Sequence, residues 1–149
     1  MKLYVAGKWE EAERVREVMW ALVDAGHTIT FDWTRNEQMS EAAAESDWDG
    51  VMKADALVLV VEKDLPYKGA MAEFGMAVAR RIPIYVIGSH NDSNIFMRLP
   101  FVRKGYGDLF AYSKGLGGPP VWNPTNHDPF KQTRYDRDRD NPFFDKGQQ

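Results

Sequence analysis

Six consecutive residues, Ala56-Leu57-Val58-Leu59-Val60-Val61, carry no polar side chain. A strand with one face in water alternates apolar and polar positions, whereas an unbroken aliphatic run of this length marks a strand covered on both faces. Such strands belong to parallel sheets, whose crossover connections lay helices over the sheet. Two further runs have the same character: residues 3–6, stopping at Gly7, and residues 83–87, closed by Gly88. Residues 28–31 alternate into another strand, with Asp32, Trp33 and Thr34 at its end.

The segments between these runs have a helical period. Ala12, Val15, Val18, Met19, Leu22 and Val23 recur at three- and four-residue steps. That spacing predicts a helix over 10–25 with one buried stripe, ended by Gly26. Ser40 is placed to cap a second helix running to Lys53. Gly69 introduces a third over roughly 70–80, where Arg80 and Arg81 suit its negative C-terminal end. Strands alternating with helices imply an α/β fold, a doubly wound parallel sheet of four to five strands of flavodoxin or Rossmann type. Ligands of such sheets sit beyond the carboxyl ends of the strands. The loops at Gly7, at Asp32, from Glu62 to Gly69 and at Gly88 are therefore the places to look.

The 149 residues suit one domain over 1–113, followed by an irregular tail over 114–149. In that tail Gly, Pro, Asn and charged residues dominate, and no helical or strand period survives. A net charge of -3 argues against a nucleic-acid or membrane-surface binder, which would want a basic face. The absence of cysteine removes disulfides, thiolate metal sites and a cysteine nucleophile together. His27, His90 and His127 lie too far apart in sequence to form a ligand-spaced cluster, so neither a metal nor another cofactor is expected. The longest apolar stretch is too short to span a bilayer, and the chain opens on a strand-like segment without a signal-peptide pattern. A cytoplasmic protein is the expectation.

Chemistry concentrates in Tyr67-Lys68-Gly69-Ala70-Met71-Ala72-Glu73-Phe74-Gly75. A glycine at a helix mouth lets backbone approach a ligand, and a carboxylate about one turn in is favoured by the helix dipole and held ionised. An ionised, oriented carboxylate there can attack an electron-poor sugar carbon. Dipole matching alone also explains an acid in that position. Asp47, within the second helix, is placed to protonate or hold a leaving nucleobase, although Glu41, Glu45 and Asp49 make a solvated acidic face an equal reading. Tyr4 sits inside the first strand, where a buried hydroxyl needs a partner. Trp33 is placed either to stack on a planar base or to cap the core. Lys8 can meet a phosphate as a point charge or stand as a surface residue.

In order and spacing these segments resemble the nucleoside 2-deoxyribosyltransferase family, over residues 3 to about 100. Leu3-Tyr4-Val5-Ala6-Gly7 is similar to its first strand and glycine turn. Asp47 and Gly50, followed by Ala54-Asp55, resemble its second segment, and Gly69 through Glu73-Phe74-Gly75 its third. The resemblance implies that Glu73 forms a covalent glycosyl ester, that Asp47 assists departure and re-entry of the base, and that Tyr4 holds the nucleophile. Gly7, Lys8, Trp33, Tyr67 and Gly69 are the expected substrate-binding residues. Where transferases of the family commonly carry an acid six positions before the nucleophile, this chain has Tyr67.

The implied activity is transfer of 2-deoxyribose between nucleobases. A hydrolytic N-glycosidase acting on a deoxynucleoside or its 5'-monophosphate shares the same residues, and a non-catalytic module binding a nucleotide-derived ligand is the third reading. The implied partners are a small-molecule nucleoside or nucleotide and further copies of the chain. In the homo-oligomer a neighbouring subunit completes the site, from the polar loop around His90 or from the C-terminal segment with Trp122, Asn123 and Asn126.

Overall fold

A computed structural model of the chain describes residues 1–110, apart from positions 37 and 93. The expected tail over 114–149 lies outside the described residues. Strand β1 (Lys2–Ala6) leads through a 3-10 turn (Trp9–Glu11) into α1 (Ala12–Asp24), and β2 (Thr28–Ile29) leads through a second turn (Trp33–Arg35) into α2 (Glu41–Lys53). Then follow β3 (Ala56–Val60), α3 (Lys68–Arg80), β4 (Ile84–Ile87), a third 3-10 turn (Ile95–Arg98) and β5 (Val102–Lys104). All strands pair in parallel, in the order β2-β1-β3-β4-β5. This is the doubly wound α/β sheet of flavodoxin type that the sequence predicts, with β5 added at an edge.

The central strands are buried throughout β3 and β4 and over the last four residues of β1. The chain steps from β1 outward to β2 and later, through β3, outward to β4. Right-handed crossovers in opposite directions lay helices on opposite faces. Glycine 7 shows the sides: a Cβ there would lie 2.5 Å from Val15 Cγ2 of α1. Because side chains alternate along a strand, Leu3 and Val5 share the α1 side. Tyr4 and Ala6 face the side where α2 and α3 pack together. The α1 stripe is as expected, with Val15, Val18, Met19 and Leu22 buried against the sheet. No helix of the described residues is long and apolar enough to cross a membrane.

Three local features depart from the expectation. Helix α3 starts at Lys68, so Gly69 lies inside its first turn and Glu73 in its second. Arg80 lies in the last turn of α3, as expected, and its guanidinium also reaches the neighbouring helix. Its Nη1 donates to the carbonyls of Val51 (2.7 Å) and Ala54 (2.9 Å), at the C-terminus of α2. The two helices lie side by side, and a guanidinium reaches the carbonyls at the neighbour's C-terminal end readily. Arg81 closes α3 in the left-handed conformation, with φ 54°. Finally, β2 is only two residues long, because it forms the sheet edge and ends before Phe31.

Candidate active site

The strand order reverses between β1 and β3, and a crevice opens outside their carboxyl ends, as the topology requires. It is a cleft of about 840 Å³, large enough for a small-molecule ligand. Its walls come from the turn after β1 (Gly7, Lys8), the segment after β2 (Trp33, Asn36), the start of α2 (Ser40, Ala43, Asp47) and the start of α3 (Tyr67, Gly69, Glu73). Seven of the eight residues singled out in the sequence line it; the eighth, Tyr4, is fully buried beneath. The described residues of the loop after β4 do not line it. Gly88 and His90 lie one strand beyond the point where the winding reverses, and the His90 amide is spent on the Val61 carbonyl (3.0 Å).

At the cleft floor the Tyr4 hydroxyl hydrogen-bonds Asp47 Oδ1 at 2.9 Å and Glu73 Oε1 at 2.8 Å. Three elements are needed to build this contact. β1 holds Tyr4 upright under the two helices. α2 reaches it because residue 50 has no side chain: a Cβ there would lie 2.9 Å from Tyr4 Cδ2 and 2.8 Å from Phe31 Cβ. A glycine within a helix costs about 1 kcal/mol relative to alanine, and here the loss secures the close approach one turn from Asp47. In α3 the buried residues Ala70, Phe74 and Ala77 define the inward stripe. Glu73 falls on that same stripe, a polar residue where the period demands an apolar one. That misfit is the sequence signal that separates Glu73 from an acid merely matching a dipole.

Electrostatics revises the expectation that the helix N-terminus keeps Glu73 ionised. Burial raises its pKa from 4.5 to about 7, opposed by the Tyr4 hydrogen bond and reinforced by the charge of Asp47. The dipole is felt mainly in the first turn, and Glu73 stands in the second, so desolvation prevails. Burial also raises Asp47, against the Tyr4 hydrogen bond. Tyr4 is pushed far above the ordinary phenol range by burial and by both carboxylates.

The raised Glu73 pKa links to stability. Between about 4.5 and 7 the folded state holds a proton on Glu73 that the unfolded state has released, so stability falls as pH rises through that window. The contribution is bounded at about 3 kcal/mol and is trimmed by solvent at the cleft mouth. Replacing the acid by its neutral isostere removes it. Glu73→Gln is expected to melt higher than the native chain at pH 8 and at the same temperature at pH 4; equal melting at both values would refute the assigned burial effect.

The remaining expected residues fall into two groups. Gly69 opens directly on the cleft, where an added Cβ would meet nothing within 4 Å. Lys8 lines the cleft but is ion-paired with Glu10 at 3.2 Å. Trp33 and Tyr67 are wall residues with committed polar atoms. The Trp33 indole donates to the Val5 carbonyl at 2.7 Å, and Trp33 is 8% exposed, which is the core-capping role. The Tyr67 hydroxyl donates to Glu11 Oε2 at 2.6 Å. Sequence reasoning missed Glu11, a buried acid in the charged run Glu10-Glu11-Ala12-Glu13-Arg14 that reads as a solvated surface. It also missed Trp9, which lines the cleft at 55% exposure, 6.4 Å from Trp33 between ring centroids. Among the described residues no group of His, Asp or Glu is arranged to hold a metal ion.

Two carboxyl groups joined by one phenol at the ligand end of a doubly wound α/β sheet are groups of the kind that acid–base and nucleophilic chemistry uses. The family follows from the sequence match: the model of the nucleoside 2-deoxyribosyltransferase family covers residues 3–110, and the chain belongs to that family. The family is one of enzymes, transferases and glycosidases. No curated protein matches the chain.

Proposed function

We propose that this protein cleaves the N-glycosidic bond of a deoxynucleoside and transfers the 2-deoxyribose to a second nucleobase. The observation that carries the reading is the Tyr4 hydroxyl bridging Asp47 and Glu73 at the cleft floor. One oxygen of each carboxyl hydrogen-bonds the same phenol oxygen, so those two oxygens lie less than about 6 Å apart, which is compatible with retaining glycoside chemistry. In the first displacement a Glu73 oxygen attacks the anomeric carbon as the carbon–nitrogen bond breaks, and Asp47 gives a proton to the departing base. The product is a glycosyl ester on Glu73. In the second displacement the incoming base takes the sugar, and Asp47 recovers the proton.

Hydrolysis uses the same ester with water as acceptor, and the openness of the cleft to solvent favours keeping it as the second reading. Incubation of the enzyme with one deoxynucleoside, with and without a second free base, separates the two. Exchange that requires the acceptor is the expected result. Base release at the same rate without acceptor would replace the transferase by a hydrolase acting on a nucleoside or its monophosphate. Absence of both turnover and a trapped glycosyl adduct across a nucleoside panel would leave only a binding role.

A further inference from the structure

We propose that Tyr4 carries a proton between Glu73 and Asp47, so that one proton masks the nucleophile at rest and departs with the base during reaction. This inference rests on the proposed reaction and concerns the origin of its proton.

The argument begins with a count of hydrogens. Two oxygen–oxygen contacts, at 2.9 and 2.8 Å, meet at one phenol oxygen. Each contact needs a hydrogen, and a phenol supplies one. With both carboxyls ionised, one contact would set lone pairs against each other in a buried place. The contacts are satisfied when the three groups hold two hydrogens, the phenol's own and one carboxyl proton. Two arrangements meet that count. In the first, the Glu73 carboxyl donates to Tyr4 and Tyr4 donates to Asp47. In the second, the Asp47 carboxyl donates to Tyr4 and Tyr4 donates to Glu73. They differ by a concerted shift of two hydrogens, and Tyr4 is a phenol in both.

The first arrangement suits the unliganded site, where Glu73 is the more enclosed acid and is pushed up to about 7. The second is the one that the chemistry requires, an ionised nucleophile beside a protonated acid. The strong upward displacement of Tyr4 makes a phenolate an unfavourable stopping point, so each proton lost is replaced as it leaves. Among the described residues that line the cleft, the other ionisable ones are Lys8 and Glu10, paired with each other, and Tyr67 and Lys68 at the start of α3, of which Tyr67 is bound to Glu11. Asp47 is the one acid that α2 contributes to the cleft wall. The groups that shift Glu73 are Tyr4 and Asp47.

From the second arrangement the step balances. Asp47 turns its O–H from Tyr4 to the departing nitrogen. The carbon–nitrogen bond breaks with its electron pair going to that nitrogen, which takes the Asp47 proton. A lone pair of the Glu73 carboxylate forms the carbon–oxygen bond of the ester. Tyr4 then donates to the Asp47 carboxylate, and one proton has left with the base.

The test compares two leaving groups. The base of an ordinary deoxynucleoside needs a proton to leave; 4-nitrophenol, leaving from its 2-deoxyriboside, does not. Tyr4→Phe keeps the buried ring and removes the hydroxyl. The relay predicts a loss of at least about 100-fold on the deoxynucleoside, the size of a lost general-acid pathway, and less than about tenfold on the nitrophenyl substrate. An equal loss on both would overturn the relay, leaving Tyr4 as a residue that only orients Glu73. Should Tyr4→Phe fail to fold, the deoxynucleoside rate of the native enzyme in H2O–D2O mixtures decides. A curved dependence marks two hydrogens in flight, and a linear one overturns the proposal. Mass spectrometry of the native enzyme with the nitrophenyl substrate separates the two levels of the argument. An adduct on Glu73 without the leaving-group split sinks the relay alone, whereas no adduct and no turnover sinks the proposed reaction beneath it.

Discussion

Glu73→Ala is expected to lower deoxynucleoside turnover by on the order of 10⁴- to 10⁶-fold, the range in which removal of a covalent nucleophile falls. The side chain is partly exposed to the cleft and hydrogen-bonded below to Tyr4. Its replacement deletes the oxygen proposed to attack the sugar and leaves Tyr4 with Asp47 as its remaining carboxyl partner. Among the described residues the other acids near the cleft are engaged, Asp47 with Tyr4, Glu10 with Lys8 and Glu11 with Tyr67. Substrate binding should survive, because the walls formed by Gly7, Lys8, Trp33 and Gly69 are untouched. The measurement is single-turnover base release together with the mass of the trapped protein. Turnover within tenfold of the native rate, or an adduct still formed in the variant, would remove Glu73 from the role.

The largest expected effect on folding comes from Gly88→Ala. Residue 88 has φ +108°, a backbone conformation strained for any L side chain. A Cβ there would lie 2.5 Å from the Val61 carbonyl oxygen and 2.6 Å from its carbon. Both are backbone atoms of the neighbouring strand end, so no rotamer change relieves the contact. Strain and overpacking each cost about 1–3 kcal/mol, which suggests about 3–5 kcal/mol together. Domains of this size are stable by about 5–15 kcal/mol, so a large share of the total is at risk. The urea midpoint should fall accordingly, with Gly75→Ala as a control, where an added Cβ meets nothing within 4 Å. A change below about 1 kcal/mol would mean that the turn after β4 yields more easily than its geometry implies.

Much of this fold is written in burial patterns. β1, β3 and β4 are legible because strands covered on both faces leave continuous apolar runs, and α1 because its stripe repeats over three turns. β5 escapes notice: Val102–Lys104 is an edge strand whose last two residues are exposed, so it has no apolar signature. The site is legible to a different depth. Tyr4, Asp47 and Glu73 can be picked out by order and spacing, but their meeting depends on partners 43 and 69 residues apart. The charge state of Glu73 was not readable, because the dipole is a local property of a helix whereas desolvation depends on everything packed around it. Glu11 and Tyr67 fail for a related reason. An acid in a charged run reads as surface until the fold turns it inward.

Arg80 gives the helix pair a consequence that reaches beyond its own contacts. By joining α3 to the last carbonyls of α2, it acts as a strut at the end of the layer remote from the cleft. The two carboxyl groups that share Tyr4 sit midway along the same two helices, Asp47 about one turn before Val51 and Glu73 about two turns before Arg80. How α2 and α3 lie against each other bears on the geometry of that pair, and Arg80 is one of the contacts that joins them. A change at Arg80 would thus reach the carboxyl pair through the packing of α2 on α3, although Arg80 itself does not line the cleft.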